Sequence, residues 1–155
     1  LLDPLTASEC EILFHWVHDR SGAGGPVITT TEAPHYRRVA LQRLKYEGRS
    51  GEEIRRQPLW RGFGIRDGNG VMFISHTGEI CPSGFLPLPA GNVRKQSPVE
   101  VYWDAPLFRT LRQPDGFGGK CGRCEFRTIC GGSRARAYAA TGDPLGPDLL
   151  CAFEP

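Results

Sequence analysis

Long apolar runs are missing from this sequence. Nothing in it approaches the roughly eighteen apolar residues that a membrane-spanning helix needs, so no membrane partner is expected. Charge of one sign is missing as well. Nineteen Lys and Arg against seventeen Asp and Glu leave a formal net charge of +2, too little to argue for nucleic acid. Apolar residues are scarce for 155 positions: at 39%, diluted by twenty glycines and thirteen prolines, they describe a loop-rich chain whose modest core suits a metal staple. An initial methionine is absent too. The chain opens Leu1-Leu2-Asp3 and enters a patterned helix almost at once, so it reads as a fragment of a longer protein.

Cysteine is what the chain does have. Cys121, Cys124 and Cys130 form a C-x2-C-x5-C run, and Cys151 follows downstream. Four thiolates in a glycine-rich stretch point to a tetrahedral thiophilic centre, either an iron–sulfur cluster or zinc. Zinc ribbons usually show two paired knuckles, whereas here one pair precedes two single cysteines, and that favours iron–sulfur. Three disulfides in a secreted protein are the third possibility, and the tight C-x2-C spacing argues against them. Reduced thiols imply the cytoplasm. Lys120, Arg123, Arg127, Arg134 and Arg136 flank the cysteines and offset the negative charge of a thiolate centre.

Along the chain, Thr6 with Glu9 makes a capping box for a helix over 6–20, with Ile12, Leu13, Trp16 and Val17 at helical spacing. A β-branched segment at 26–31 predicts a short strand, and 35–45 a second helix. Helix, strand, helix is the rhythm of an α/β layer, too small here to close a sheet alone. Residues 48–61 read as a linker or mobile loop. From Gly62 the pattern becomes a short antiparallel meander through 64–66, 71–75 and 79–81. Ser97-Pro98 opens two short helices near 98–103 and 105–112, and a last helix spans 133–141 before Gly142.

Other candidates are weaker. Glu32, His35 and Tyr36 follow the expected strand where a parallel barrel would place its active face, but they also fit an ordinary helix start. His15 and His18 share a helix face without further ligands, and read as a solvated face. Phe85, Trp103, Phe108, Phe117 and Phe126 have the shape to stack on a flat tetrapyrrole, and equally to form a small core. The glycine runs at 22–25 and 116–119 lack the lysine and strand–loop–helix setting of a phosphate loop, and read as turns.

Several of these segments fit one pattern together. They are Gly78-Glu79-Ile80-Cys81, Gly91-Asn92-Val93-Arg94, Trp103-Asp104 with Phe108 and Leu111-Arg112, the run from Cys121 to Arg127, the run from Cys130 to Tyr138, and Cys151. Residues 78–155 thereby resemble the SPASM domain, the auxiliary-cluster region of radical S-adenosylmethionine enzymes. The run from Thr30 to Tyr36 resembles the end of a late barrel strand in the branch that makes alternative haem and haem d1.

The resemblance implies an α/β end of a partial (β/α) barrel at residues 1–61, followed by a small α+β SPASM-type iron–sulfur domain at 62–155. It implies one auxiliary [4Fe-4S] cluster on Cys121, Cys124, Cys130 and Cys151, serving electron relay or substrate positioning during radical modification of a peptide or tetrapyrrole. It also implies S-adenosylmethionine and a second [4Fe-4S] cluster in the full-length protein, with a reductant such as ferredoxin or flavodoxin. The alternative is a non-catalytic zinc-binding interaction module. Two departures stand out. The C-x3-C-x2-C motif that cleaves S-adenosylmethionine is missing, so this piece alone is not expected to make a radical. Ser133 and Arg134 occupy the place of a cysteine for an inner auxiliary cluster, and no cysteine before Cys81 is nearer than Cys10, so the inner cluster is expected to be absent, leaving Cys81 as a free thiol, a buried small hydrophobe or an occasional ligand.

Overall fold

The computed structural model describes residues 3–21, 28 and 30–155. The first helix, α1 (Ala7–Ser21), begins at the expected capping box. Glu9 Oε2 accepts from the Thr6 amide at 2.8 Å and the Glu9 amide donates to Thr6 Oγ1 at 3.2 Å. The helix α2 (His35–Tyr46) packs on it, and Cys10, Phe14 and Val17 close against Tyr36, Val39 and Ala40. The inward face therefore differs from the expected one. Phe14 points inward with Cys10 and Val17 at i, i+4 and i+7, whereas Ile12, Leu13 and Trp16 are 69%, 41% and 53% exposed. Apolar residues lie on both faces of α1, and only one of them meets α2. The strand expected at 26–31 falls mostly outside the described residues; Ile28 and Thr30 are not in a strand, and Thr31 sits in a bend.

Residues 48–61 are more ordered than the expected linker. Ser50 and Glu53 form a second capping box that starts α3 (Gly51–Arg55), and Pro58–Gly62 is a 3-10 turn. The chain then runs through β1 (Phe73–Ile74), β2 (Glu79–Cys81) and β3 (Gly91–Asn92), an antiparallel sheet in the order β1-β2-β3. Phe73 pairs with Cys81, Ile74 with Ile80, and Ile80 with Gly91. The expected first strand at 64–66 supplies only an isolated Arg66–Asn69 bridge, and β3 takes its place. A side chain at position 91 is excluded, because a Cβ there would lie 2.8 Å from Val101 Cγ2, so glycine lets the sheet approach the next helix.

That helix is α4 (Pro98–Asp104), capped by Ser97, and α5 (Pro106–Leu111) follows it directly. Ile80, Val101 and Phe108 form one buried cluster, and Leu86, Leu111 and Ala135 another. The chain ends in α6 (Gly119–Arg123) and α7 (Arg134–Thr141), the latter stopped by left-handed Gly142. The three-stranded antiparallel sheet with its short helices is a small α+β arrangement, compatible with the expected one. The first 61 residues touch it at several points: Leu150 packs on the α1–α2 core, and Ser133 Oγ donates to Glu32 Oε2 at 2.6 Å. Among the described residues no helix is long and apolar enough to cross a membrane.

Candidate metal centre

Four pieces of chain carry the four cysteines to one place. The short helix α6 presents Cys121, the extended turn at its end presents Cys124, and Cys130 precedes α7. After α7 the chain folds back and delivers Cys151. All four line one cavity of about 360 Å³, counting its open mouth. No disulfide forms; all six cysteines are free, which removes the disulfide-bonded reading.

Gly131 and Gly132 make the convergence possible. Both adopt positive φ, and a Cβ on Gly132 would lie 3.0 Å from Cys121 Sγ and 2.7 Å from Asp148 Cβ. The strand of chain between Cys130 and α7 thus runs against the first cysteine with no room for a side chain.

Each of the four sulfurs receives N–H donors. Cys121 Sγ accepts from the Asp148 amide at 3.3 Å and from Arg134 Nη2 at 3.5 Å. Cys124 Sγ accepts from the Phe126 amide at 3.4 Å, and Cys130 Sγ from the Gly132 amide at 3.4 Å. Cys151 accepts from the Phe153 amide and from Arg38 Nη2, the latter at 3.8 Å. Cys10 and Cys81 are equally buried, yet among the described residues neither sulfur has such a donor. Donors aimed at sulfur favour the thiolate. Burial opposes it, pushing Cys130 up to about 12 despite the Gly132 amide, and raising Cys124 and Cys151 as well.

Cations complete the setting. Arg134 is fully buried; its guanidinium donates to the carbonyls of Gly132, Pro144 and Gly146, lies over the Phe117 ring, and reaches Cys121. Arg66, also buried, donates to the carbonyls of Gly64 and Thr128 and leaves its Nε without a partner. Burial, and then the Arg134 charge, lower Arg66 to about 10, while Cys130 pulls it back up. Among the described residues neither arginine has a carboxylate at ion-pair distance, although an uncompensated buried cation is costly. An anionic thiolate centre fits that deficit. Of the other expected cations, Arg123 is exposed, Arg127 pairs with Asp115, and Lys120 binds the Cys151 carbonyl and Glu154. Arg38, from α2, is the cation that the sequence did not point to.

Asp148 ties this wall together. It accepts from the Ser133 amide at 2.8 Å and from both Arg136 Nη2 and Nε, at 2.7 and 3.1 Å. Burial would raise its carboxyl, but the Arg136 hydrogen bonds and charge outweigh that and hold it below the usual range. His35 stands behind it with Nδ1 3.3 Å from Arg136 Nη2.

The remaining candidates separate. Glu32 borders a cleft, while His35 and Tyr36 are packed into the α1–α2 interface beside Phe14. His18 pairs with Glu47, and His15 lies near Glu11 and Arg43, so neither belongs to a metal group. Phe108, Phe117 and Phe126 are core, whereas Phe85 and Trp103 are exposed.

Comparison with known proteins places this geometry. No family model and no solved structure matches the chain. An AdoMet-dependent heme synthase of Methanosarcina barkeri is 37% identical over 158 residues, covering 99% of this chain and 44% of the relative. One of Nitratidesulfovibrio vulgaris is 38% identical over 153 residues, covering 97% and 41%. A PqqA peptide cyclase of Gluconobacter oxydans is 31% identical over 106 residues, covering 65% of this chain and 28% of the relative. The chain belongs to the radical SAM/SPASM-type proteins. As a member of that family it is related to enzymes that use iron–sulfur clusters and S-adenosylmethionine. This radical SAM/SPASM-type chain spans about two fifths of the length of the heme synthases it matches.

Proposed function

We propose that Cys121, Cys124, Cys130 and Cys151 hold one [4Fe-4S] cluster, and that the chain is the auxiliary-cluster part of a radical SAM enzyme acting on a tetrapyrrole or a peptide. The observation that carries this reading is the selective one: four cysteines from separate pieces of chain share one cavity and each has N–H donors, while Cys10 and Cys81 have none among the described residues. When bound, the cluster would supply a one-electron site able to relay an electron to or from the substrate. Arg134, Arg66 and Arg38 would offset its charge, and the amides of Asp148, Phe126, Gly132 and Phe153 would hold the thiolates in place. In this reading residues 62–155 are the cluster domain, and residues 1–61 contribute to a (β/α) barrel carried largely by other residues of the enzyme. S-adenosylmethionine and a second cluster belong to that barrel, and a ferredoxin or flavodoxin of the cytoplasm would be the reductant.

Zinc is the less favoured occupant. Zn–S bonds of about 2.3 Å place tetrahedral sulfurs within about 3.8 Å of one another. Among the described residues no three donors are grouped for a single metal ion. A cubane spreads its four ligands over a larger tetrahedron, as the shared cavity allows. Anaerobic purification with analysis of iron, zinc and acid-labile sulfide, and visible spectra before and after dithionite, tests the reading. About four irons and four sulfides per chain with a bleachable brown band is the expected result. One zinc without sulfide, persisting after attempted reconstitution, would replace it with a structural zinc module.

A further inference from the structure

A second concave site lies on the far side of Arg66 from the cysteines. It is an open cleft of about 260 Å³. Ile65, Val71 and Phe85 form its apolar part and are substantially exposed, at 41%, 38% and 59%. Its polar part is Glu32, Arg37 and Ser133. Arg66 lines the cleft and also lies against the cysteine loop, since a Cβ on Gly131 would be 3.0 Å from Arg66 Cδ.

The charged groups that line this cleft are unequally engaged. Asp67 is fully engaged: it accepts from the amides of Arg134 and Ala135 at 3.0 and 3.1 Å and from the Ser83 hydroxyl. Glu32 accepts from Ser133 Oγ at 2.6 Å. Burial, joined by the neighbouring Asp67 charge, holds its carboxyl above the usual range against the Ser133 hydrogen bond. Arg37 makes one hydrogen bond among the described residues, from Nη1 to the Ile65 carbonyl, and its remaining N–H groups are left for the cleft. Glu32 itself sits at φ 54, a left-handed conformation uncommon for a residue with a side chain. The turn is clamped through its carbonyl by Arg136 and through its carboxyl by Ser133. Backbone strain of this kind, over-determined by its surroundings, is characteristic of ligand sites.

We propose that this cleft binds an amphipathic carboxylate, with the carboxylate on the N–H groups of Arg37 and the apolar body against Ile65, Val71 and Phe85. The ligand then lies one side-chain layer, that of Arg66, from the Cys130 loop. Both a tetrapyrrole side chain and an acidic peptide offer this chemistry. The inference rests on the proposed function only in taking the ligand for the substrate; the site itself is defined without metal.

Calorimetric titration tests it, using protoporphyrin IX, its dimethyl ester, and a peptide of glutamate and phenylalanine, with iron measured on the same samples. At least one carboxylate probe binds the parent chain, and Arg37→Met weakens it by about tenfold or more, the loss of a charge-assisted pair. Arg37→Lys recovers part of the affinity, and the ester binds the parent as weakly as the acid binds the methionine variant. Binding by the porphyrin alone, or by the peptide alone, assigns the source of the carboxylate. Binding by neither, or ester and Arg37→Met affinities equal to those of the acid on the parent, overturns the site. A chain without iron that still binds through Arg37 would refute the cluster and leave the cleft standing.

Discussion

The helix pair and the cysteine wall are built on opposite principles. Between α1 and α2, Phe14 stacks edge-on to His35 at 4.6 Å, and Val17, Val39 and Ala40 close an apolar interface. Around the cysteines the buried groups are arginines, carbonyls, an aspartate and sulfur, with Phe117 and Phe126 as apolar filler. Apolar contact stabilises by its own area, whereas buried charge stabilises only when its partner is present. The first region is held by apolar contact, and the second is arranged around a negative group.

The largest test of that contrast is Cys130→Ala. Iron is expected to fall below one per chain, and amide-exchange protection over 117–151 to collapse while α1 and α2 keep theirs. Uniform protection across both regions would break the comparison. Next comes Asp148→Ala, which strands Arg136 and the Ser133 amide inside the protein; a loss of about 3–5 kcal/mol is expected from denaturant unfolding. A loss below about 1 kcal/mol would show that water replaces the carboxylate without difficulty.

Acid supplies a third test, aimed at the helix side. Burial lowers His35 to about 4, and Arg136 and Arg38 lower it further against the pull of Asp148 and Glu11. The unfolded chain takes up this proton near pH 6.5, so it binds more protons than the folded chain between 6.5 and 4. The contribution is full above pH 6.5 and is lost as pH falls through that window, at most about 3 kcal/mol. A His35→Leu variant should show a flatter stability profile over the same range; an unchanged slope would assign the acid sensitivity to other groups. The smallest effect is reserved for Cys81→Ala. Iron content should stay at the parent value with a stability change of about 1 kcal/mol, because that sulfur is buried without N–H donors among the described residues. Loss of iron would make Cys81 a ligand.

How far the sequence could be read follows the same divide. Local signals were legible: the capping box at Thr6 and Glu9 and the Ser97 cap start helices where expected, and Gly142 ends α7. The Ser50–Glu53 box was present as well, and only the polar composition around it led to a linker being expected in place of α3. Face selection on α1 was not legible, because Ile12, Leu13 and Trp16 are as apolar as the residues that go inside, and packing partners decide between them. The cysteine quartet was visible by spacing. Its support was not: Arg38 lies 113 residues from the sulfur it reaches, and Glu32 lies 101 from Ser133. No periodicity marks a charge that will be buried by distant chain.

The reach of Arg38 also bears on the order in which the protein is made. Three walls of the cysteine cavity leave the ribosome within a few residues of one another, but Cys151 follows only after α7 and the loop behind it. Arg38 by then has long been synthesised and packed into the earlier helices. The cavity is therefore completed only once Cys151 has followed α7, beside a cation made 113 residues earlier.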